Sequence, residues 1–158
     1  MNTSVKQEFV RRITQANRSQ LTVIVFEMLM EYLNDTKEAK EANDRPVFRE
    51  GIRKAIGCVD ELLSSLNYDF EISQGLSQLY MYVKKELILA DIRNNTENFE
   101  VIYTVIKGLH ESFEKVSKED TSPPLMQNTQ DVYAGLTYGR NDLNESLSYQ
   151  HTARGYQA

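Results

Sequence analysis

The chain has 158 residues and a formal net charge of −5 at pH 7. Hydrophobic residues make up 41% of it and charged residues 26%, which is the composition of a globular domain with a buried core. Because the charge is negative, the chain lacks the electrostatic footprint of a protein that binds nucleic acid or an anionic membrane. No apolar run is long enough to cross a bilayer, and the first residues lack the apolar stretch of a signal peptide, which together predict a cytoplasmic protein.

Residues 1–18 precede the first long helical pattern. Val5, Phe9 and Ile13 follow one another at intervals of four, which is weak helical spacing. We therefore predict an N-terminal segment, residues 1–18, that docks on the rest of the protein as a short extra helix.

Four longer segments have apolar residues three and four positions apart, which predicts helices at about 19–42, 46–66, 71–93 and 96–118. Asp44 is the expected cap of the second helix and Thr96 of the fourth, and Asn94 is expected to end the third. Short connections force neighbouring helices to run antiparallel. The predicted fold class is all-α, an antiparallel up-down-up-down four-helix bundle over residues 19–118.

One apolar stripe on each helix is predicted to form the core. The stripes are Leu21, Val25, Met28, Tyr32 and Ala39 in the first helix; Phe48, Ile52, Ala55, Val59, Leu62 and Leu66 in the second; Ile72, Leu76, Leu79, Val83, Leu87 and Ala90 in the third; and Phe99, Ile102, Ile106, Leu109, Phe113 and Val116 in the fourth.

Further apolar residues fall outside these stripes, and we predict that they form exposed grooves for an amphipathic segment of a partner protein. Burial under the N-terminal segment, under the tail or in a weak homodimer are the alternatives. The residues are Val23, Phe26, Met30 and Leu33 in the first helix, Met81, Ile88 and Ile92 in the third, and Val101 and Val105 in the fourth.

The sequence contains no pattern typical of catalysis, of a metal site or of a cofactor site. A di-iron bundle needs Glu-x-x-His on two helices, but Lys107 stands three positions before His110, and His151 lies in the tail. The glycines are scattered and form no phosphate-binding loop. Cys58 has no neighbour in sequence that would activate its thiol. We therefore expect no enzyme activity, no metal and no cofactor.

The composition changes after Lys118. Two prolines at 123 and 124 break the helical pattern, and the residues that follow are rich in Asn, Gln, Ser, Gly and Tyr. Such a segment buries little apolar surface, so residues 119–158 are predicted to be a flexible tail. Four of the nine tyrosines lie after residue 118. One hypothesis is that they make transient contacts with the bundle or a partner, and the other is an unstructured solubilising tail.

Four segments, in the same order along the chain, are similar to segments of a known protein family. They are residues 16–21 (ANRSQL), 66–73 (LNYDFEIS), 79–82 (LYMY) and 87–95 (LILADIRNN). With these segments, the chain resembles the flagellar export chaperone family, FliS, over about residues 9–118.

The resemblance implies a cytoplasmic bundle that binds the C-terminal segment of newly made flagellin and prevents its premature polymerisation. It also implies delivery of flagellin to the flagellar type III export apparatus, whose components are further candidate partners. In the family the N-terminal segment can lie over a groove that flagellin occupies, and Phe9 and Ile13 are the matching apolar positions. The chain departs from the family at Phe9, where a tyrosine is usual, and at Arg18, which replaces a proline. A helical adaptor for another amphipathic segment is the alternative function.

Overall fold

A computed structural model describes residues 3–126 of the protein. Over this range it contains five helices and no strand: α1 (Thr3–Gln15), α2 (Arg18–Glu41), α3 (Arg45–Ser64), α4 (Glu71–Arg93) and α5 (Phe99–Glu119). The predicted all-α class and the short N-terminal helix are thereby confirmed. The prediction of a flexible, tyrosine-containing tail falls mostly on residues 127–158, which lie outside the described residues.

The ends of the helices follow the local sequence in most places. Asp44 caps α3 as predicted, since its Oδ1 accepts a hydrogen bond from the Val47 amide at 3.1 Å. Helix α4 ends at Asn94 as predicted, with that residue in the left-handed conformation. The prediction that Thr96 caps α5 was wrong. Residues 96–98 instead form a turn in which the Phe99 amide donates to the Thr96 carbonyl at 3.0 Å, and the helix starts after it.

Contacts between helix ends indicate that α2 runs antiparallel to α5 and that α3 runs antiparallel to α4. Lys37, near the end of α2, pairs with Glu100, at the start of α5, at 2.6 Å. Arg45, at the start of α3, pairs with Asp91, near the end of α4, at 3.1 Å. Together with the short connection between α2 and α3, these pairs fit the predicted up-down-up-down order.

Helix α2 is the centre of the bundle. The closely packed helix pairs are α2–α3, α2–α5, α3–α4 and, to a smaller extent, α1–α2. The backbones of α4 and α5 therefore do not pack closely against each other, although both contribute side chains to the common core. Among the closely packed pairs, α4 therefore has α3 as its one neighbour and α5 has α2.

The core of α2 differs from the predicted stripe. Phe26, Leu29 and Leu33 are all buried in the main core, and Val23 is buried as well. The prediction that Val23, Phe26 and Leu33 lie on an exposed face was therefore wrong. Because α1, α3 and α5 all pack against α2, this helix buries apolar side chains around most of its circumference. A single stripe could not describe it.

Two residues predicted to be in the core are exposed at the ends of their helices. Ile72 lies in the first turn of α4 and Val116 in the last turns of α5, and both are largely in contact with solvent. The apolar spacing of each helix continues to its end, beyond the point where neighbouring helices cover it.

A second, smaller apolar cluster joins α1 to α2. Its buried members are Phe9 and Ala16 from the N-terminal part and Ile24 from α2. Partly buried side chains pack around it, among them Ile13. The buried residues of this α1–α2 cluster are separate from those of the main core, although the partly buried Met28 packs against both.

Candidate functional site

The most exposed of the predicted binding residues lie on one side of α4. Met81, Ile88 and Ile92 have exposed fractions of 53%, 42% and 73%. At about 100° per residue they fall opposite Val83 and Leu87, which are completely buried. The structure thus places these three residues together on what we call the outer α4 face (Met81, Ile88, Ile92), as predicted from the sequence.

The two predicted residues of α5 lie one turn apart on one side of the helix. Val101 is 53% exposed and Val105 is partly buried. Phe99, Ile102 and Ile106 turn towards the main core instead. Val101 and Val105 therefore form an α5 flank beside the core side of this helix.

The predicted residues of α2 do not form an open groove. Phe26 is fully buried, with its ring centroid 6.2 Å from that of Tyr80 and 5.4 Å from that of Phe113. Met30 is partly buried and packs against the main core. Val23 is buried but borders a cleft between α1, α2 and α5. No partner could touch Phe26 without opening the core.

The predicted residues of α1 face inwards, onto α2. Phe9 is buried in the α1–α2 cluster and Ile13 is partly buried beside it. Arg12 fastens the same helix, because its guanidinium donates two hydrogen bonds to the Glu27 carboxylate, the longer of them 3.0 Å. His110 of α5 lies 3.4 Å from the same carboxylate. The structure thus brings Phe9 and Ile13 together as the contact face of a docked helix.

Burial and charge act in opposite directions on Glu27. Its partial burial raises the pKa of the carboxyl. The hydrogen bonds and charge of Arg12, with a smaller effect of His110, lower the pKa by more than burial raises it. The net effect holds the pKa of Glu27 below its usual value, so this carboxylate stays ionised near neutral pH. The contact between α1 and α2 therefore includes a permanent ion pair.

A further set of exposed apolar residues was not singled out from the sequence. Tyr68 and Phe70, in the connection before α4, and Ile72 in its first turn are each more than 60% exposed. Asp69 and Glu71 alternate with them. That alternation of aromatic and acidic residues was the available signal, but helical spacing assigned Ile72 to the core.

The described residues show binding surfaces more clearly than reactive groups. Burial raises the pKa of the Cys58 thiol to about 12, so the sulfur is protonated and poorly nucleophilic. Between residues 3 and 126, no three His, Cys, Asp or Glu side chains are grouped so that they could hold a metal ion.

The five helices are amphipathic or charged along their length. Within the described part of the chain, none of them combines the length and the apolar character that crossing a bilayer requires.

Comparison with known proteins assigns the chain to a family. The family model described as "Flagellar protein FliS" matches residues 1–120. The flagellar secretion chaperone FliS of Bacillus subtilis (strain 168) is 26% identical over 84 residues, which are 53% of this chain and 63% of that relative. The chain thus spans less than two thirds of the length of this relative. Because the family model covers most of the sequence, the chain belongs to the FliS family.

Proposed function

We propose that this protein is a cytoplasmic export chaperone that binds the C-terminal segment of flagellin and prevents its premature polymerisation. In this role it assists delivery of flagellin to the flagellar type III secretion apparatus. Membership of the FliS family and the name of the Bacillus relative, a flagellar secretion chaperone, support the proposal. The structural observation that carries it is the outer α4 face, an apolar surface that a well-packed bundle leaves in water.

The energetics of such a surface favour an amphipathic partner. Full burial of one large aliphatic side chain contributes about 1.5–3 kcal/mol. The three residues of the outer α4 face are 42% to 73% exposed, so covering them would contribute about half of that amount each. Val101 on the α5 flank adds to this contribution. A disordered segment loses conformational entropy when it is ordered on the bundle, and this cost reduces the net affinity. Wrapping around both α4 and α5 would increase the covered apolar area and so oppose that cost.

Helix α1 would take part as a displaceable cover. Phe9 and Ile13 occupy an apolar site on α2 that a partner segment could take over. Because the α1–α2 cluster and the main core share no buried residue, α1 could leave while the main core stays packed. Its departure would uncover Ile24 and the neighbouring Val23. Val23 would then be able to contact the partner segment. Phe26 would support this surface from beneath.

Met30 and Val105 are proposed as secondary contacts. Both are partly buried, so each offers only part of its side chain to a partner. We expect their replacement by alanine to weaken binding less than changes on the outer α4 face.

Gel filtration tests the proposal directly. The full chain is mixed with intact flagellin and with flagellin that lacks its C-terminal segment. We expect the chain to comigrate with intact flagellin and not with the truncated flagellin. Absence of binding, or binding that ignores the truncation, would contradict the proposal, and the second result would favour a helical adaptor for another amphipathic segment.

Charge substitutions then locate the surface. Ile88→Asp and Val101→Asp each place a carboxylate on a proposed contact and should weaken flagellin binding at least about tenfold, since the charge loses water on binding. Val47→Asp is the matched control, because Val47 is also exposed but lies on α3. Equal affinity of all three variants would contradict the assignment of the surface.

Two further partners follow from the same proposal. Components of the export apparatus would meet the chaperone once flagellin is bound, and pull-down with and without flagellin would show whether binding depends on it.

A weak homodimer through the outer α4 face would appear as a concentration-dependent mass in light scattering. Ile88→Asp should abolish that dependence.

A further inference from the structure

The chain turns back across the start of α2 after α5 ends. Residues 120–125, here called the strap, form no regular secondary structure and lie against the connection between α1 and α2. The side-chain amide of Asn17 donates through Nδ2 to the carbonyls of Asp120 at 3.1 Å and Ser122 at 3.2 Å. Further along, the Leu125 amide donates to the Ala16 carbonyl at 3.0 Å. Residues more than 100 positions apart are thereby joined.

Asn17 uses both ends of its side chain. Its Oδ1 accepts from the Gln20 amide at 2.9 Å while Gln20 Oε1 accepts from the Asn17 amide at 3.0 Å, so the two residues form a capping box at the start of α2. Nδ2 is thereby left to hold the strap. Asn17 is only 3% exposed, so these bonds are largely shielded from water. An aspartate could cap the helix but could not donate to the strap.

The strap is attached at the hinge of α1. Ala16 and Asn17 are the two residues between the end of α1 and the start of α2. Ala16 has two functions there, because its side chain is buried in the α1–α2 cluster and its carbonyl accepts from the strap. Ser19 adds a hydroxyl bond to the Asp120 carboxylate. The strap therefore fixes the backbone about which α1 would have to swing.

We infer that the strap is a latch that keeps α1 docked on α2, with Asn17 as the positioning residue that holds the latch closed. Away from the hinge, α1 is held mainly by the small α1–α2 cluster and by the Arg12–Glu27 pair. Fixing the hinge lowers the entropy of the undocked state and so favours docking. The end of α5 thereby controls how often α1 opens. This inference goes beyond the proposed function and does not depend on flagellin.

Amide hydrogen exchange on the full chain tests the latch. The variants are Asn17→Asp, which keeps the cap and removes the donor to the strap, and Leu125→Pro, which removes the donor to Ala16. Leu125→Ala is the matched control because it keeps that N–H and shortens the side chain. Exchange in α3 serves as the internal reference for global stability.

In Asn17→Asp and Leu125→Pro, we expect amides in the second half of α1 to exchange about tenfold faster, as the loss of one or two hydrogen bonds implies. Exchange in α3 should be unchanged, and Leu125→Ala should behave like the unaltered protein. If exchange in α1 is unchanged in Leu125→Pro, or rises equally in α1 and α3, the latch is overturned. Leu125→Pro leaves the cap and core intact, so it decides the matter even where Asn17→Asp folds poorly.

Discussion

A methyl group on Gly51 would lie 2.2 Å from Thr36 Oγ1, so α2 and α3 cross at a point where a side chain on residue 51 has no room. Thr36 is itself buried, and its hydroxyl donates to the Tyr32 carbonyl at 2.5 Å. The hydroxyl cannot rotate away without losing this bond. Gly51 lies within α3 and has no positive φ, so space and not backbone conformation requires glycine here.

Gly51→Ala should therefore destabilise the bundle. Overpacking at a helix crossing costs about 1–3 kcal/mol, which exceeds the gain of about 1 kcal/mol from the higher helix propensity of alanine. Gly57→Ala is the control, since a methyl group there meets nothing within 4 Å. Urea denaturation followed by circular dichroism should show a lower midpoint for Gly51→Ala and a higher one for Gly57→Ala. Equal midpoints for the two variants would show that α2 and α3 can move apart slightly to admit the methyl group at no cost in stability.

Adjacent residues of α4 should respond oppositely to the same charge. Leu87 is completely buried in the main core, whereas Ile88 is on the outer α4 face. Leu87→Asp should cost about 4 kcal/mol or more, because it leaves a carboxylate buried without a partner. Ile88→Asp should cost much less, about 1 kcal/mol, because Ile88 is 42% exposed and the carboxylate can reach water. Loss of helicity in both variants would show that the assigned faces of α4 are incorrect.

Removal of Arg12 should shift the titration of Glu27. The pair lowers the pKa of Glu27, so its stabilising effect is present above the unfolded value and is lost as the pH falls through the lowered folded pKa. In Arg12→Met, burial would act with only His110 opposing it, and the pKa of Glu27 should rise. Carboxyl ¹³C chemical shifts measure this value. Arg11→Met should leave it unchanged, since Arg11 pairs with the exposed Glu8.

Glycine should be accepted differently at two asparagines that have a positive φ. Asn43 and Asn94 have φ of 54° and 52°. Asn43→Gly should stabilise the protein by about 0.5 kcal/mol, because glycine adopts this conformation without a steric cost. In Asn94→Gly the same relief is offset, because the Asn94 side chain accepts from Arg45 at 2.7 Å. Thermal unfolding should rank Asn43→Gly above Asn94→Gly, and the reverse order would contradict this account.

The sequence predicted α3 well because its environment is one-sided. Phe48, Ile52, Ala55, Val59 and Leu62 form one stripe, and all five are buried. Helical spacing is sufficient to predict the buried residues wherever a helix has one buried side and one side in water. The outer α4 face was predictable for the same reason, because α4 packs closely against α3 alone and has a side that remains exposed.

The sequence was less informative where several helices meet or where distant segments pair. In α2, apolar residues lie on most sides, so spacing alone could not decide between Val25 and Phe26 as the centre of the core. Asn17 was visible only as part of a family motif, because its bonds to the strap depend on how the end of α5 returns to α2. Such contacts follow from the three-dimensional arrangement and leave no local pattern.

The burial of Cys58 makes this residue a reporter of unfolding. It is the single cysteine of the chain, it lies in the main core on α3, and its thiol is protonated at neutral pH. An alkylating reagent should therefore modify it much faster in molecules whose α3 core has opened. The rate of modification would count those opening events without any engineered probe, and it would stay silent when α1 alone detaches.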